Sequence, residues 1–363
     1  MSLNNRLRAV HLGAAVLGGA LLACAVNAAP SFHVYVSNEK SGDVTVIDGA
    51  DFNVLATIAV GKRPRGIHAS PDGKSVYVAL SGTPVKAPPQ LDAKGNPVFE
   101  KKKGKDDDDD DDAGADKSAD GVGVIDVATK KFTGKINAGS DPEEFALSKD
   151  GTRIYISNED VKTASIVNIG SKKVEHIIPI GLEPEGVTTT LDGKHFYVTC
   201  ESGGDIYVVD SSSAAVTAHF KIEGRPRSVA FLANSPVAFI PSESAGQLNI
   251  IDSANVKVVK TITLPAGSRP MQVHVTSDDK KLYISNGRAG NILVYDTKTY
   301  ELLNTIKVGP RPWGFALSPD GKLLFVANGP SNDVSVVDLA ANKEVARVKA
   351  GNSPWGLTIV TGR

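Results

Sequence analysis

Apolar residues in this chain recur in short, β-branched runs separated by Gly, Pro, Asn and Asp. The clearest phrase is Gly309-Pro-Arg-Pro-Trp-Gly-Phe-Ala-Leu-Ser-Pro-Asp-Gly-Lys-Leu-Leu-Phe-Val-Ala-Asn328, followed by Asn332-Asp-Val-Ser-Val-Val-Asp338. It predicts a Gly/Pro turn, an apolar strand, an Asp-Gly hairpin, a second strand, a polar loop and an alternating third strand. A fourth strand closes each unit, as in Val54-Leu-Ala-Thr-Ile-Ala-Val60 and Leu302-Leu-Asn-Thr-Ile-Lys-Val308. Helical periodicity of useful length is absent after residue 28.

The unit repeats. Its second-strand aromatic falls at Tyr35, Tyr77, Tyr155, Tyr197, Phe239, Tyr283 and Phe325, with spacings of 42, 78, 42, 42, 44 and 42. Four short strands per unit cannot bury both sheet faces alone and must stack radially, so the expected fold is all-β, a seven-bladed β-propeller of four-stranded antiparallel blades. The chain opens on a second strand, Phe32-His-Val-Tyr-Val36, and closes on a first strand, Pro354-Trp-Gly-Leu-Thr-Ile-Val360. The C-terminal strand should therefore complete blade 1 as its innermost member and remove a free sheet edge. The fifth repeat is less regular, with Leu232-Ala-Asn-Ser-Pro-Val-Ala238 in place of an Asp-Gly turn.

The single long spacing places an insertion at about residues 83–120, with 7 basic and 11 acidic residues including the run Asp106 to Asp112. It has little to bury and is expected to be a disordered acidic loop. The Asp run lacks the glycines and spaced ligands of a calcium site, so a solvated loop is the expectation there.

Residues 1–28 read as a signal peptide. Arg6 and Arg8 precede an apolar run from Ala9 to Ala25, and Val26-Asn27-Ala28 is a small-residue cleavage site. The mature domain would then be 29–363, periplasmic or secreted, with no transmembrane helix. Leu21-Leu-Ala-Cys24 also resembles a lipoprotein processing box, a less favoured alternative because Leu22 fits it poorly. Cys200 alone remains after the leader, so no internal disulfide is expected, and its place at a strand end points to packing rather than reactivity. A net charge of −1 gives no sign of a nucleic-acid partner.

Tyr35-Val-Ser-Asn38, Tyr155-Ile-Ser-Asn158, Tyr197-Val-Thr199 and the Ser-Pro-Asp-Gly turns at Ser70 and Ser318 resemble the YVTN-type β-propeller repeats. Longer phrases, among them Arg63-Pro-Arg-Gly66, Asp141-Pro-Glu-Glu-Phe-Ala-Leu147 and Pro354-Trp-Gly356, resemble the PQQ-dependent catabolism-associated β-propeller proteins. That resemblance implies export and association with quinoprotein oxidation systems, a quinoprotein dehydrogenase being the partner it suggests. It supplies no activity.

The chemistry-bearing motifs are few. Phosphate loops, paired-Cys metal spacings, zinc-protease and nucleophile-elbow motifs and c-type haem attachment are all missing, so no cofactor or metal is expected and no catalytic residue is named. Turn aspartates Asp72, Asp150, Asp192 and Asp320 serve hairpin geometry. His68 and His274 share one slot on the innermost strands of blades 2 and 6. They are candidates for lining the channel, with simple packing as the favoured role.

The residues after the turn prolines should ring one mouth of the channel. In blade order they are Trp355, Arg65, Glu143, Glu185, Arg227, Met271 and Trp313, and the loops after the second strands add Glu39, Glu159, Glu201 and Glu243. The ring is polarised, with Met and both tryptophans of the chain on one side and the acids flanked by Arg65 and Arg227 on the other. The expected function is a non-catalytic exported propeller that binds a partner protein or small ligand at this mouth. The alternative is a lactonase-like hydrolase or quinone-associated oxidoreductase using the same mouth. The Trp313 and Trp355 rings are expected to be partly exposed.

Overall fold

The computed structural model describes residues 31–84, 90–91, 97–98 and 114–362. The leader, the Cys24 box and the Asp106–Asp112 run lie outside the described residues. Seven four-stranded antiparallel sheets follow one another around a ring, as the repeat arithmetic requires. From the axis outwards, blade 1 runs Pro354–Thr361, Phe32–Asn38, Asp43–Asp48 and Val54–Ala59. Phe32 pairs with Thr361 and Asn38 with Pro354, so the last strand does complete the first blade on its inner edge.

Burial explains the strand patterns. Second and third strands are covered on both faces by neighbouring blades, which is why they read as nearly continuous apolar runs. Fourth strands lie at the periphery and leave Val54, Ile177, Leu303 and Val345 exposed. The core is correspondingly divided into seven clusters, one per blade junction. Tyr35, Val44 and Val46 of blade 1 pack on Ile67, Val76 and Val78 of blade 2, and Phe325, Val334 and Val336 of blade 7 pack on Val34 and Val36 to close the ring. Each such buried side chain contributes roughly 1.5–3 kcal/mol of transfer free energy.

The second-strand motif has a physical reading. In four blades its hydroxyl sits between first strands. Ser37 Oγ accepts from Gly356 N–H of its own blade and donates to the Arg65 carbonyl of the next, at 2.5 Å. Ser157, Thr199 and Ser285 do the same for the carbonyls of Glu185, Arg227 and Trp313. The following Asn bridges to the third strand: Asn38 Nδ2 reaches Asp43 and Thr45, and Asn158 Nδ2 reaches Thr163 and Ser165. These bonds fix the height of the residues at the mouth.

Other expectations resolve locally. The strand-ending and hairpin aspartates cap their own turns, as Asp48 does for Ala50 and Asp72 for Lys74. Blade 5 has the shortest first strand, Ala230–Phe231, and its irregular turn is held instead by Asp279 of blade 6, which accepts from Ala233 and Asn234. Cys200 is fully buried and burial pushes its thiol up to about 12, so it is an inert packing residue.

The insertion enters between strands Ser75–Leu80 and Gly121–Asp126 of blade 2, which still pair in register. Its ends are not loose, contrary to expectation. Thr83 and Asp120 are buried, Asp120 accepts from Gly82 N–H at 2.7 Å, and a short 3-10 turn, Lys117–Ala119, seats there. Lys62 holds Asp116 at 2.8 Å. Backbone polar groups near the blade have partners on it, so the chain folds until it clears them. Gln90–Leu91 pairs with Pro97–Val98, and residues 85–89, 92–96 and 99–113 lie outside the described residues. Among the described residues no helix is long and apolar enough to cross a membrane.

Candidate functional site at the channel mouth

Each first strand is entered through a turn ending in proline, and the residue before that proline carries the mouth's geometry. Arg63, Asp141, Glu183, Arg225, Arg311 and Ser353 all hold φ between 42° and 62°, a left-handed conformation that ordinary side chains adopt at a cost of about 1–3 kcal/mol. Six repeats impose it. The loop after the second strand then docks on this turn: Glu39 N–H bonds the Ser353 carbonyl, Glu201 that of Glu183 and Glu243 that of Arg225. Two layers of charged side chains therefore meet, one from before the proline and one from after it. The sequence reading found only the second layer. A charged residue before the turn proline in six of seven repeats was the available signal.

The layers neutralise each other in two clusters. Arg65, 2% exposed, lies 2.5 Å from Asp141, 3.3 Å from Glu143 and 3.5 Å from Glu159. Arg63 flanks this cluster, 3.2 Å from Glu39 and 3.7 Å from Asp141. Arg227 pairs with Glu185, Glu201 and Glu243 together, and Arg225 with Glu201 and Glu243. Glu159, Glu201 and Glu243 thus pair with ring arginines, and Glu39 with Arg63 beside them.

Burial divides the ring. Arg65, Glu143, Glu185 and Met271 are buried, Arg227 is nearly so, and only Trp313 and Trp355 are half-buried. The cause is close approach of neighbouring first strands. A Cβ on Gly186 would sit 2.1 Å from the Arg227 carbonyl and one on Gly66 2.9 Å from that of Glu143, so adjacent first strands leave little room between them.

Acids outnumber bases in this half of the mouth, and their protonation reflects it. Burial pushes Glu185 up to about 8, Glu143 adding to the effect and Arg227 opposing it. Burial and then Glu143, with which it shares a hydrogen bond, hold Glu159 well above the usual carboxylate range. Carboxyls with raised pKa values thus lie beside guanidiniums, a pattern that marks acid–base sites and structural networks alike.

The opposite half is built differently. Blades 6 and 7 carry Gly287 and Gly329 where blades 1, 3, 4 and 5 carry the loop glutamates. In that sector the Trp313 and Trp355 rings lie 5.6 Å apart at 45°. The Arg311 guanidinium stands 4.8 Å from the Trp313 centroid and Arg227 5.6 Å from it, both in cation–π range. Arg311 has no carboxylate partner among the described residues. Met271 sits beneath Gly287.

Both histidines set their rings edge-on against core phenylalanines, His68 on Phe145 at 4.9 Å and His274 on Phe315 at 6.4 Å. His68 is partly exposed on its inner strand and its Nε2 lies 2.8 Å from Glu144 Oε1. His274 reaches solvent yet is enclosed by protein, and that desolvation holds its pKa below the ordinary histidine range. They do not converge, and among the described residues no group of three ligating side chains could hold a metal.

Residues 187–350 match the model described as lactonase, 7-bladed beta-propeller, and residues 15–184 that of the choice-of-anchor I domain. The chain is a seven-bladed β-propeller. A Bacteroides fragilis propeller described as a 6-phosphogluconolactonase superposes with TM-score 0.70 at 17% identity, over 91% of this chain and 98% of its own. The periplasmic gluconolactonase of Pseudomonas aeruginosa gives 0.66 at 17% identity, covering 91% and 99%. The Kuenenia stuttgartiensis hydrazine synthase gives 0.65 at 20% identity, covering 81% and 89%. At these identities the likeness is one of fold. No curated protein sequence matches the propeller.

Proposed function

We propose that this propeller is an exported binding protein that holds a partner protein at its mouth, through the sector of Trp313 and Trp355. The observation that carries the reading is the tilted, half-exposed tryptophan pair beside Arg311. Trp and Arg are residues that concentrate at the centres of protein interfaces, and here Trp313, Trp355 and Arg311 stand together. The buried Arg65 and Arg227 clusters supply a rigid floor instead of contacts. The leader at 1–28, a periplasmic location and the YVTN-type resemblance to PQQ-associated propellers belong to the same proposal, with a quinoprotein dehydrogenase as the candidate partner. Capture by the immobilised propeller from a periplasmic fraction tests it. Recovery of such a dehydrogenase, lost when both tryptophans are replaced, supports the reading; recovery that ignores the tryptophans contradicts it.

A lactonase-like hydrolase at the same mouth is the second reading, and it has equal support from the comparisons. The lactonase model spans 187–350, and two similar structures are described as lactonases. The raised carboxyl of Glu159, close to Glu143 and Arg65, would serve a ring-opening step as acid. Hydrolysis of gluconolactone by wild type, abolished by Glu159→Gln with the fold intact, would favour the enzyme over the binder.

A further inference from the structure

A second feature of the mouth face stands apart from the tryptophan pair. Between blades 5 and 6 the loops around Ser244, Gly246 and Gly267 enclose an open notch of about 270 Å³, lined also by Ser268, Arg269 and Arg288. Its lining holds two guanidiniums and no acid.

That imbalance is unusual for this protein. Arg63 and Arg225, which occupy the place of Arg269 in blades 2 and 5, each contact two carboxylates. Arg269 contacts none within ion-pair distance among the described residues, because Gly287 replaces the loop glutamate beside it. Glu243 of the neighbouring blade feels the Arg269 charge from beyond ion-pair distance and is itself paired with Arg227 and Arg225. Arg288 is likewise without a carboxylate among the described residues.

Neutral groups complete the lining. Asn286 Nδ2 donates to Ser268 Oγ at 3.1 Å, which leaves the hydroxyl proton of this buried serine free to donate. The Asn286 side chain also holds Arg269 in place, Oδ1 accepting from its N–H at 2.7 Å. One asparagine thus positions both a hydroxyl donor and the backbone of an arginine at the notch.

We infer that this notch is a site for a small dianionic oxyanion, a phosphate group above all, gripped by Arg269 and Arg288. Two guanidiniums match the charge and offer paired N–H donors to tetrahedral oxygens. The volume lies near the lower end of small-molecule pockets, enough for a phosphate and part of the body that carries it. This site is independent of the partner reading.

The test is titration of the full chain with inorganic phosphate at constant ionic strength, followed by calorimetry and by amide shifts of Gly246, Gly267 and Ser268. Saturable binding is expected, at least tenfold weaker in Arg269→Gln, in Arg288→Gln and in the double variant, and unchanged in Arg347→Gln. Acetate should bind at least tenfold more weakly than phosphate. Circular dichroism confirms the fold of each variant. No saturable binding to wild type, equal binding by the double arginine variant, or equal affinity for acetate and phosphate would overturn the assignment.

Discussion

The Arg65 guanidinium of blade 2 lies 2.5 Å from the Asp141 carboxylate of blade 3, with both side chains withdrawn from water. Arg65 also donates to the carbonyls of Asp141 and Pro142. One side chain thus links two blades beneath the mouth, and its loss would leave Glu143 and Glu159 without their ion-pair partner and Asp141 with Arg63 alone.

Arg65→Ala should therefore destabilise the propeller by about 3–5 kcal/mol, the range for breaking one side of a buried ion pair. Denaturant unfolding measures it. Arg347→Ala, whose pairs with Glu344 and Asp333 lie at the periphery, should cost at most about 1 kcal/mol.

Glu185 makes stability depend on pH in a defined direction. Its folded pKa, about 8, lies above the unfolded value of 4.5, so the folded state binds the extra proton between them. Its contribution is fully present below about pH 4.5 and fades as pH rises through about 8. The stability difference between wild type and Glu185→Gln should shift against wild type across that window. A difference that stays flat from pH 5 to 8.5 would show Glu185 ionised throughout.

Stopping the chain before Ser353 should abolish cooperative folding. The strand Pro354–Thr361 pairs with Phe32–Asn38 and adds Leu357 and Val360 to the closing clusters. Without it blade 1 has an open inner edge and two junctions lose apolar cover. Retained two-state melting in the truncated protein would contradict this.

The fold was legible because it is written in spacing. Seven aromatic landmarks at near-constant intervals gave the blade count, the odd interval located the insertion, and the phase of Phe32 and Pro354 gave the closure. The composition of the mouth was equally visible, since its residues stand at one offset from a proline. What could not be read was depth. Whether Arg65 is a surface charge or a buried link depends on Asp141 and Glu159, which belong to the next blade and meet it only after the ring closes. The left-handed turn at Arg63 was not legible for a related reason: an arginine before a proline does not by itself favour that conformation. The anchored ends of the insertion depend in the same way on Gly82 and Lys62.

The most direct test of the proposed function is the affinity of the captured partner for wild type and for Trp313→Ala/Trp355→Ala, followed by emission from the chain's two tryptophans and by surface binding. Interface anchors of this size are worth about 2 kcal/mol or more each, so the double variant should lose at least about a hundredfold in affinity, mainly through faster dissociation. Wild-type emission should shift on complex formation. Unchanged affinity in a folded double variant, with no shift in wild-type emission, would place the interface away from the mouth and contradict the account.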